Sequence, residues 1–307
     1  PATSGTQNKP ALCRFDLLQQ HAGLDVRAMW PARGEKGPGA ENWTWDTFLT
    51  AAERCHAAGF PFGLPMGQFT DAVDWVGGLF ASYGARITDE RGNPTIRNNP
   101  QLRQVMEYAV RLARVLPNDV WAWDDASNNR ALISGRSALI FNPPSAWAVA
   151  KRDAPQVAEN CWTIPMPAGP QGRFIAYLPF NTGIWAFGRN KTAAKSFLEF
   201  LSERESAEFT TNFSGGYDIP PFLSMSDFQV WASNGPPQGT IFNYPLKPHH
   251  DARPSIAFAP APAELASQMY IQALNTKVIA RVAQGGESID QALGWLEREI
   301  NNMRRAG

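Results

Sequence analysis

Only three cysteines occur in 307 residues, Cys13, Cys55 and Cys161, odd in number and far apart. That spacing excludes a CxxC metal site and a disulfide framework, and it leaves thiols that pack as small hydrophobes. Histidine is scarce too, and the adjacent pair His249 and His250 has no partner at helical spacing, so no metal is expected. An excess of one charge is missing altogether: 28 Lys and Arg meet 28 Asp and Glu. A nucleic-acid or anionic-membrane partner would lack the electrostatic term that dominates such binding. No apolar run reaches the roughly 20 residues of a bilayer-spanning helix; WVGGLFASYGA comes nearest and is interrupted by glycines. The start at Pro1 shows neither a charged n-region nor an apolar h-region, which reads as a processed or truncated product.

Catalytic signatures are missing as well. There is no GxxxxGK followed by Ser or Thr, no GxGxxG and no GxSxG, so phosphate cradles, dinucleotide turns and nucleophile elbows are not encoded, and no cofactor is expected. The stretch FNTGIWAFGRNKTAAKSFLEFL, residues 180–201, reads instead as a buried strand, a turn at GRNKT with Thr192 near the cap, and a helix with an apolar stripe at 194, 197, 198 and 201. Asp124 and Asp125 are neighbours whose side chains diverge, unlike the facing carboxylates of a glycosidase. They read as turn or cap residues, or as one hydrogen-bonding contact to a ligand.

What is abundant is tryptophan, with 11 copies, among them Trp43, Trp45, Trp121 and Trp123. Aromatic faces pack against the C–H faces of sugar rings as well as in cores. Length alone suggests two lobes. Thr44 caps a helix with apolar residues at 48, 52 and 55 and a stop at Gly59, and FTDAVDWVGGLFASYGA is helical up to its glycines. Asn99 and Pro100 open a helix whose 3.6-residue period runs to Pro117. SALIF is a strand, residues 232–262 are loop-like, 263–283 form one helix, and Ser288 with Gln291 makes a capping box for a last helix. Strands and helices alternate, so the class is α/β.

Seven segments, in order, resemble the extracellular solute-binding proteins of ABC importers, the sugar-binding group that includes maltose-binding protein. They are FDLLQQHAGLD, WTWDTFLTAAERC, ALISGRSALIFNPPSAW, CWTIPMPAGPQGR, NTGIWAFGRNKTAAKSFLEFL, GGYDIPPF and GGESIDQAL. The resemblance implies a periplasmic-binding-protein-like (type II) two-lobe fold with the first lobe incomplete. Residues 1–178 are then the second lobe, 179–242 the hinge crossing and a remnant of the first, and 243–307 helices returning to the second. An exposed apolar surface is expected on the remnant.

The same resemblance implies capture of a small-molecule solute, a sugar or oligosaccharide, by a monomer that is not an enzyme. It is exported to the periplasm or cell exterior and hands the solute to a membrane permease. The alternatives are the same fold binding a polyol, peptide, polyamine or phosphodiester, or a carbohydrate-active hydrolase. By position, Gln68, Phe69, Asp71 and Trp75 supply contacts from the second lobe. Ser145 occupies a stacking position and leaves Trp147 two residues on. Asn142, Asn181, Thr182 and Gly183 line the cleft, and Tyr270 adds an aromatic contact. Trp123 and Asp124 complete the set. Gly183 is either a close approach of backbone to ligand or a tight-turn glycine, and Cys13 stands where the family carries a polar Tyr.

Overall fold

Two residues, Lys9 and Pro10, carry the chain from one small sheet into another. In the computed structural model, which describes residues 2–32, 36–142, 145–216, 218–220, 222–233, 251–254 and 259–306, β1 (Ala2–Asn8) ends just before them and β2 (Ala11–Arg14) begins just after. β3 (Leu139–Phe141) and β4 (Cys161–Ile164) flank β2 antiparallel. The other sheet has the order β1-β5-β6: β5 (Phe174–Thr182) runs antiparallel to β1, with Asn8 opposite Tyr177 and Ala2 opposite Thr182, and parallel to β6 (Asp251–Pro254).

The helices are α1 (Phe15–Leu17), α2 (Val26–Met29), α3 (Trp45–Ala57), α4 (Thr70–Tyr83), α5 (Pro100–Ala113), α6 (Ser127–Ile133) and α7 (Ser145–Asp153). After these come α8 (Pro155–Ala158), α9 (Lys191–Ser202), α10 (Arg204–Phe213), α11 (Val230–Ser233), α12 (Ala263–Ile271), α13 (Leu274–Ala283) and α14 (Ile289–Ala306).

Local chemistry sets several helix starts. Thr44 Oγ1 accepts from the Thr47 amide, Asn99 Oδ1 accepts from the Leu102 amide, and Ser288 and Gln291 hydrogen-bond reciprocally, so three of the four expected caps form. α1 passes into a π-helical turn, Leu18–Ala22, that stops at Gly23 in the left-handed region.

One large core collects apolar side chains from β2, β3, α3, α4, α5, α13 and α14. At its centre Phe48 stacks on Phe141 at 5.3 Å and meets Trp45 edge-on at 5.2 Å. Burying a side chain such as Phe48 contributes about 1.5–3 kcal/mol. The indole N–H groups of Trp43, Trp45 and Trp75 donate to Pro165 O, Ser82 Oγ and Pro65 O, so these rings sit in the core with their polar atoms satisfied. Cys13 and Cys161 occupy different apolar clusters, and both are buried thiols.

β5 enters this body beside Arg173, whose guanidinium donates to Trp43 O, Met166 O and Ala40 O at 2.7, 2.8 and 2.9 Å and lies over Trp30. Burial lowers its pKa to about 10.

Four sequence readings change. α4 runs straight through Gly77 and Gly78, because the bare Gly78 faces β5: a Cβ there would stand 3.1 Å from Phe174 O. The segment expected as one helix over 263–283 breaks at Ala273, in the left-handed region with φ 54°, which separates α12 from α13. GIWAF is not a buried strand, since β5 ends at Thr182 and Trp185 and Phe187 are 74% and 80% exposed. α9 begins at Lys191 after Asn190, so Thr192 lies inside the helix rather than at its cap.

The expected exposed apolar surface is present: Phe180, Trp185, Phe187, Phe197, Phe200, Phe209 and Phe213 all face outward. His249, His250, Pro143, Pro144, Tyr217, Pro221 and most of the 232–262 loop lie outside the described residues.

Candidate functional site

Asp71 and Asp74 fall three residues apart in the first turn and a half of α4, and so share one face of it. The ammonium of Lys9, 4% exposed, reaches both: Nζ is 2.7 Å from Asp71 Oδ1 and 2.6 Å from Asp74 Oδ2. Burial alone would lower the Lys9 pKa, but Asp74 and Asp71 outweigh it and hold the ammonium above its ordinary 10.5. Asp74 is raised: desolvation and repulsion from Asp71 exceed what Lys9 and a hydrogen bond from the Tyr270 hydroxyl on α12 return.

The second oxygen of Asp71 accepts from Asn128 Nδ2 at 3.0 Å, and the same Nδ2 donates to Asn142 Oδ1 at 3.0 Å. Asn142 Nδ2 then donates to Asn129 Oδ1 at 2.8 Å, with a longer 3.5 Å contact to Ser145 Oγ. Lys9, α4, α6, the end of β3, the start of α7 and α12 thus meet in one polar network. Asp125 closes its rim. Its carboxyl pKa is raised by partial desolvation and by the Asp71 charge, with the Asp71 backbone N–H opposing the rise. A carboxylate there also suits the amino end of α4.

The loops beside the network converge as well. The Met66 amide donates to Val120 O, and Gly67 packs against the Phe69 ring and Trp121 O. An exposed Gln68 and half-buried Phe69 and Trp123 therefore sit on neighbouring loops.

Of the residues singled out in the sequence, Asp71, Asn142, Ser145 and Tyr270 are joined by hydrogen bonds, directly or through Lys9, Asp74 and Asn128. Trp75 does not belong with them: it is 2% exposed, packed on Phe141, and its N–H is used by Pro65 O. Trp147, 7% exposed, packs in a separate cluster with Ile140, Leu12 and Val157, with the Lys151 ammonium over its ring.

Asp124 is a turn residue, accepting from the Ala126 amide, Ser127 Oγ and Arg130. The Ser127 hydrogen bond, then Arg130 and the Ala126 amide, lower its pKa.

Asn181 and Thr182 pair with Thr3 and Ala2, four and five strand residues beyond Tyr177, or about 13 and 17 Å along β5. Thr182 and Gly183 line a separate groove of about 460 Å³ with Ile184, Lys195, Leu198, Glu199 and Ser202. No protein atom crowds Gly183, where an added Cβ meets nothing within 4 Å. Lys9, Asp74, Asn128 and Asn129 escaped the sequence reading; their one visible trace was the polar run SNN opening α6.

The family model for bacterial extracellular solute-binding proteins matches residues 15–208, more than half of the chain. The chain belongs to that family. None of the curated proteins matches this solute-binding protein in sequence.

Among solved structures it is similar to the maltose-bound MalE3 of T. maritima, with 18% identity, a TM-score of 0.74, and coverage of 98% of this chain and 72% of that one. It is similar to a sugar transporter protein from Arthrobacter chlorophenolicus with bound laminaribiose, at 13% identity and TM-score 0.73 over 97% and 70%. A solute-binding protein from Agrobacterium vitis with bound D-mannitol shows 17% identity and TM-score 0.70 over 100% and 73%.

The fold is the two-lobe, periplasmic-binding-protein-like α/β architecture. The family is one of binding proteins rather than catalysts, and it is extracellular. Among the described residues no cluster of His, Cys, Asp or Glu could hold a metal, and no helix is long and apolar enough to cross a membrane.

Proposed function

We propose that this solute-binding protein captures a neutral polyhydroxylated solute, a sugar or oligosaccharide, and hands it unaltered to the permease of an ABC importer outside the cytoplasm. The observation that carries this reading is the composition of the network face. Carboxylate, amide and hydroxyl groups of Asp71, Asn142, Ser145 and Tyr270 converge next to Gln68, Phe69 and Trp123. Such a set supplies paired hydrogen bonds to hydroxyls and an aromatic face for a ring. The maltose, laminaribiose and mannitol bound by the structural relatives support it.

In this reading residues 1–178 and 243–307 form one jaw and 179–242 the crossing and part of the other, with Asn181, Thr182 and Gly183 contributing from the crossing. Closure persists because the solute touches both jaws. A micromolar affinity corresponds to about 8 kcal/mol, within reach of a few hydrogen bonds and one stacked ring.

A second reading, a cationic solute such as a polyamine, is favoured by the charge count at the network: Asp71, Asp74 and Asp125 face the single ammonium of Lys9. Thermal-shift measurements against mono- and oligosaccharides, polyols, polyamines and amino acids separate the two. Stabilisation by a sugar or polyol supports the first reading, and stabilisation by polyamines alone overturns it.

A further inference from the structure

Lys9 is buried and touches the network from behind, in the two-residue link between the sheets. Its ammonium grips one oxygen of Asp71 and one of Asp74, which leaves the other oxygen of Asp71 for Asn128 and the other oxygen of Asp74 for Tyr270. Asn128 in turn fixes which way the Asn142 amide points, because its Nδ2 donates to Asn142 Oδ1 and so turns Asn142 Nδ2 toward Asn129 and Ser145.

We infer that Lys9 is a positioning residue for solute binding: through Asp71 and Asn128 it sets the orientation of the Asn142 amide, and through Asp74 that of the Tyr270 hydroxyl. This inference rests on the proposed site, since Asp71, Asn142 and Tyr270 are the groups it orients.

The groups facing Lys9 are Asp71 and Asp74 from α4, with Tyr270 of α12 on Asp74, Asn128 of α6 on Asp71, and the charge of Asp125 beside Asp71. No other cation is in contact with either carboxylate among the described residues. Replacing Lys9 with Met strands two adjacent carboxylates, which then share a proton taken up at a higher pH than any single exposed carboxylate would require. One of them becomes a donor, and the amide chain from Asn128 to Asn142 loses its fixed direction. Lys9→Arg keeps the charge and can serve both carboxylates.

The test has two arms on the full chain. In the first, needing no solute, the side-chain amide resonances of Asn128 and Asn142 are followed by NMR in the parent, Lys9→Met and Lys9→Arg, alongside the thermal midpoint. The expected result is two dispersed, slowly exchanging amide pairs in the parent and Lys9→Arg, and averaged, fast-exchanging ones in Lys9→Met. Should Lys9→Met not fold, the double variant Lys9→Met/Asp74→Asn, which removes one charge of each sign, takes its place.

In the second arm maltose, laminaribiose and D-mannitol are titrated into each protein. The expected result is at least a tenfold loss of affinity in Lys9→Met that depends on pH across about 5 to 8, recovered in Lys9→Arg. Parent-like amide signals and affinity in Lys9→Met, with only a lowered thermal midpoint, overturn the inference and leave the proposed function standing. A parent that binds none of the three sugars or polyols counts against the proposed function, while the amide arm still decides whether Lys9 orients the chain.

Discussion

Tyr270 donates its hydroxyl hydrogen to Asp74 Oδ1 at 2.9 Å and ties α12 to α4 across 196 residues of sequence. The acceptor is a buried carboxylate, so the bond matters more than a surface contact of the same length. Tyr270→Phe should lower stability by about 1–3 kcal/mol, read as a drop in the urea midpoint with an unchanged slope. An unchanged midpoint would show that Asp74 is satisfied without the hydroxyl.

The Lys9 charge gives stability a particular pH dependence. Its folded pKa lies above 10.5, so its contribution is complete below that value and is lost as pH rises through the folded one. Asp74, also raised, has the same sign at acid pH: its contribution is present below its ordinary 3.8 and is lost as pH climbs through the raised value. Lys9→Met should cost about 3–5 kcal/mol near neutrality, because it leaves buried carboxylates unpaired. The gap from the parent should narrow above pH 10.5. Denaturant melts at stepped pH check this, and a gap that widens in alkali would refute it.

Gly78 is a contact residue rather than a weak point in a helix. Gly78→Ala drives a methyl to 3.1 Å from Phe174 O and should separate α4 from β5. The expected loss is about 1–3 kcal/mol, as for overpacking elsewhere. Helix propensity alone would make the same change stabilising by up to about 1 kcal/mol. The sign of the shift in thermal midpoint therefore decides between the two.

These cases show which parts of the molecule could be read from its sequence. The caps at Thr44, Asn99 and Ser288 were legible because donor and acceptor lie three residues apart. The break at Ala273 was not, since neither Gly nor Pro marks it. Trp75 reads as a solute contact because a tryptophan looks the same in a core as in a cleft; its burial is settled by partners such as Phe141, 66 residues away. Lys9 gave no signal because Asp71 and Asp74 are 62 and 65 residues distant, and only folding makes them neighbours.

Trp185 and Phe187 stack at 5.3 Å on the outward face of the segment between β5 and α9. A large exposed aromatic patch binds hydrophobic dyes and promotes association. Replacing both residues with Ser should reduce anilinonaphthalene sulfonate fluorescence while changing stability by less than about 0.5 kcal/mol. A collapse of stability would show instead that the pair supports the fold.

Titration calorimetry with maltose, laminaribiose and D-mannitol, followed by chromatography of the recovered solute, tests the account most directly. The expected result is saturable one-to-one binding of at least one of them, weakened at least tenfold by Asp71→Ala, with the solute recovered unchanged. Conversion of the solute, or full affinity in Asp71→Ala, would contradict it.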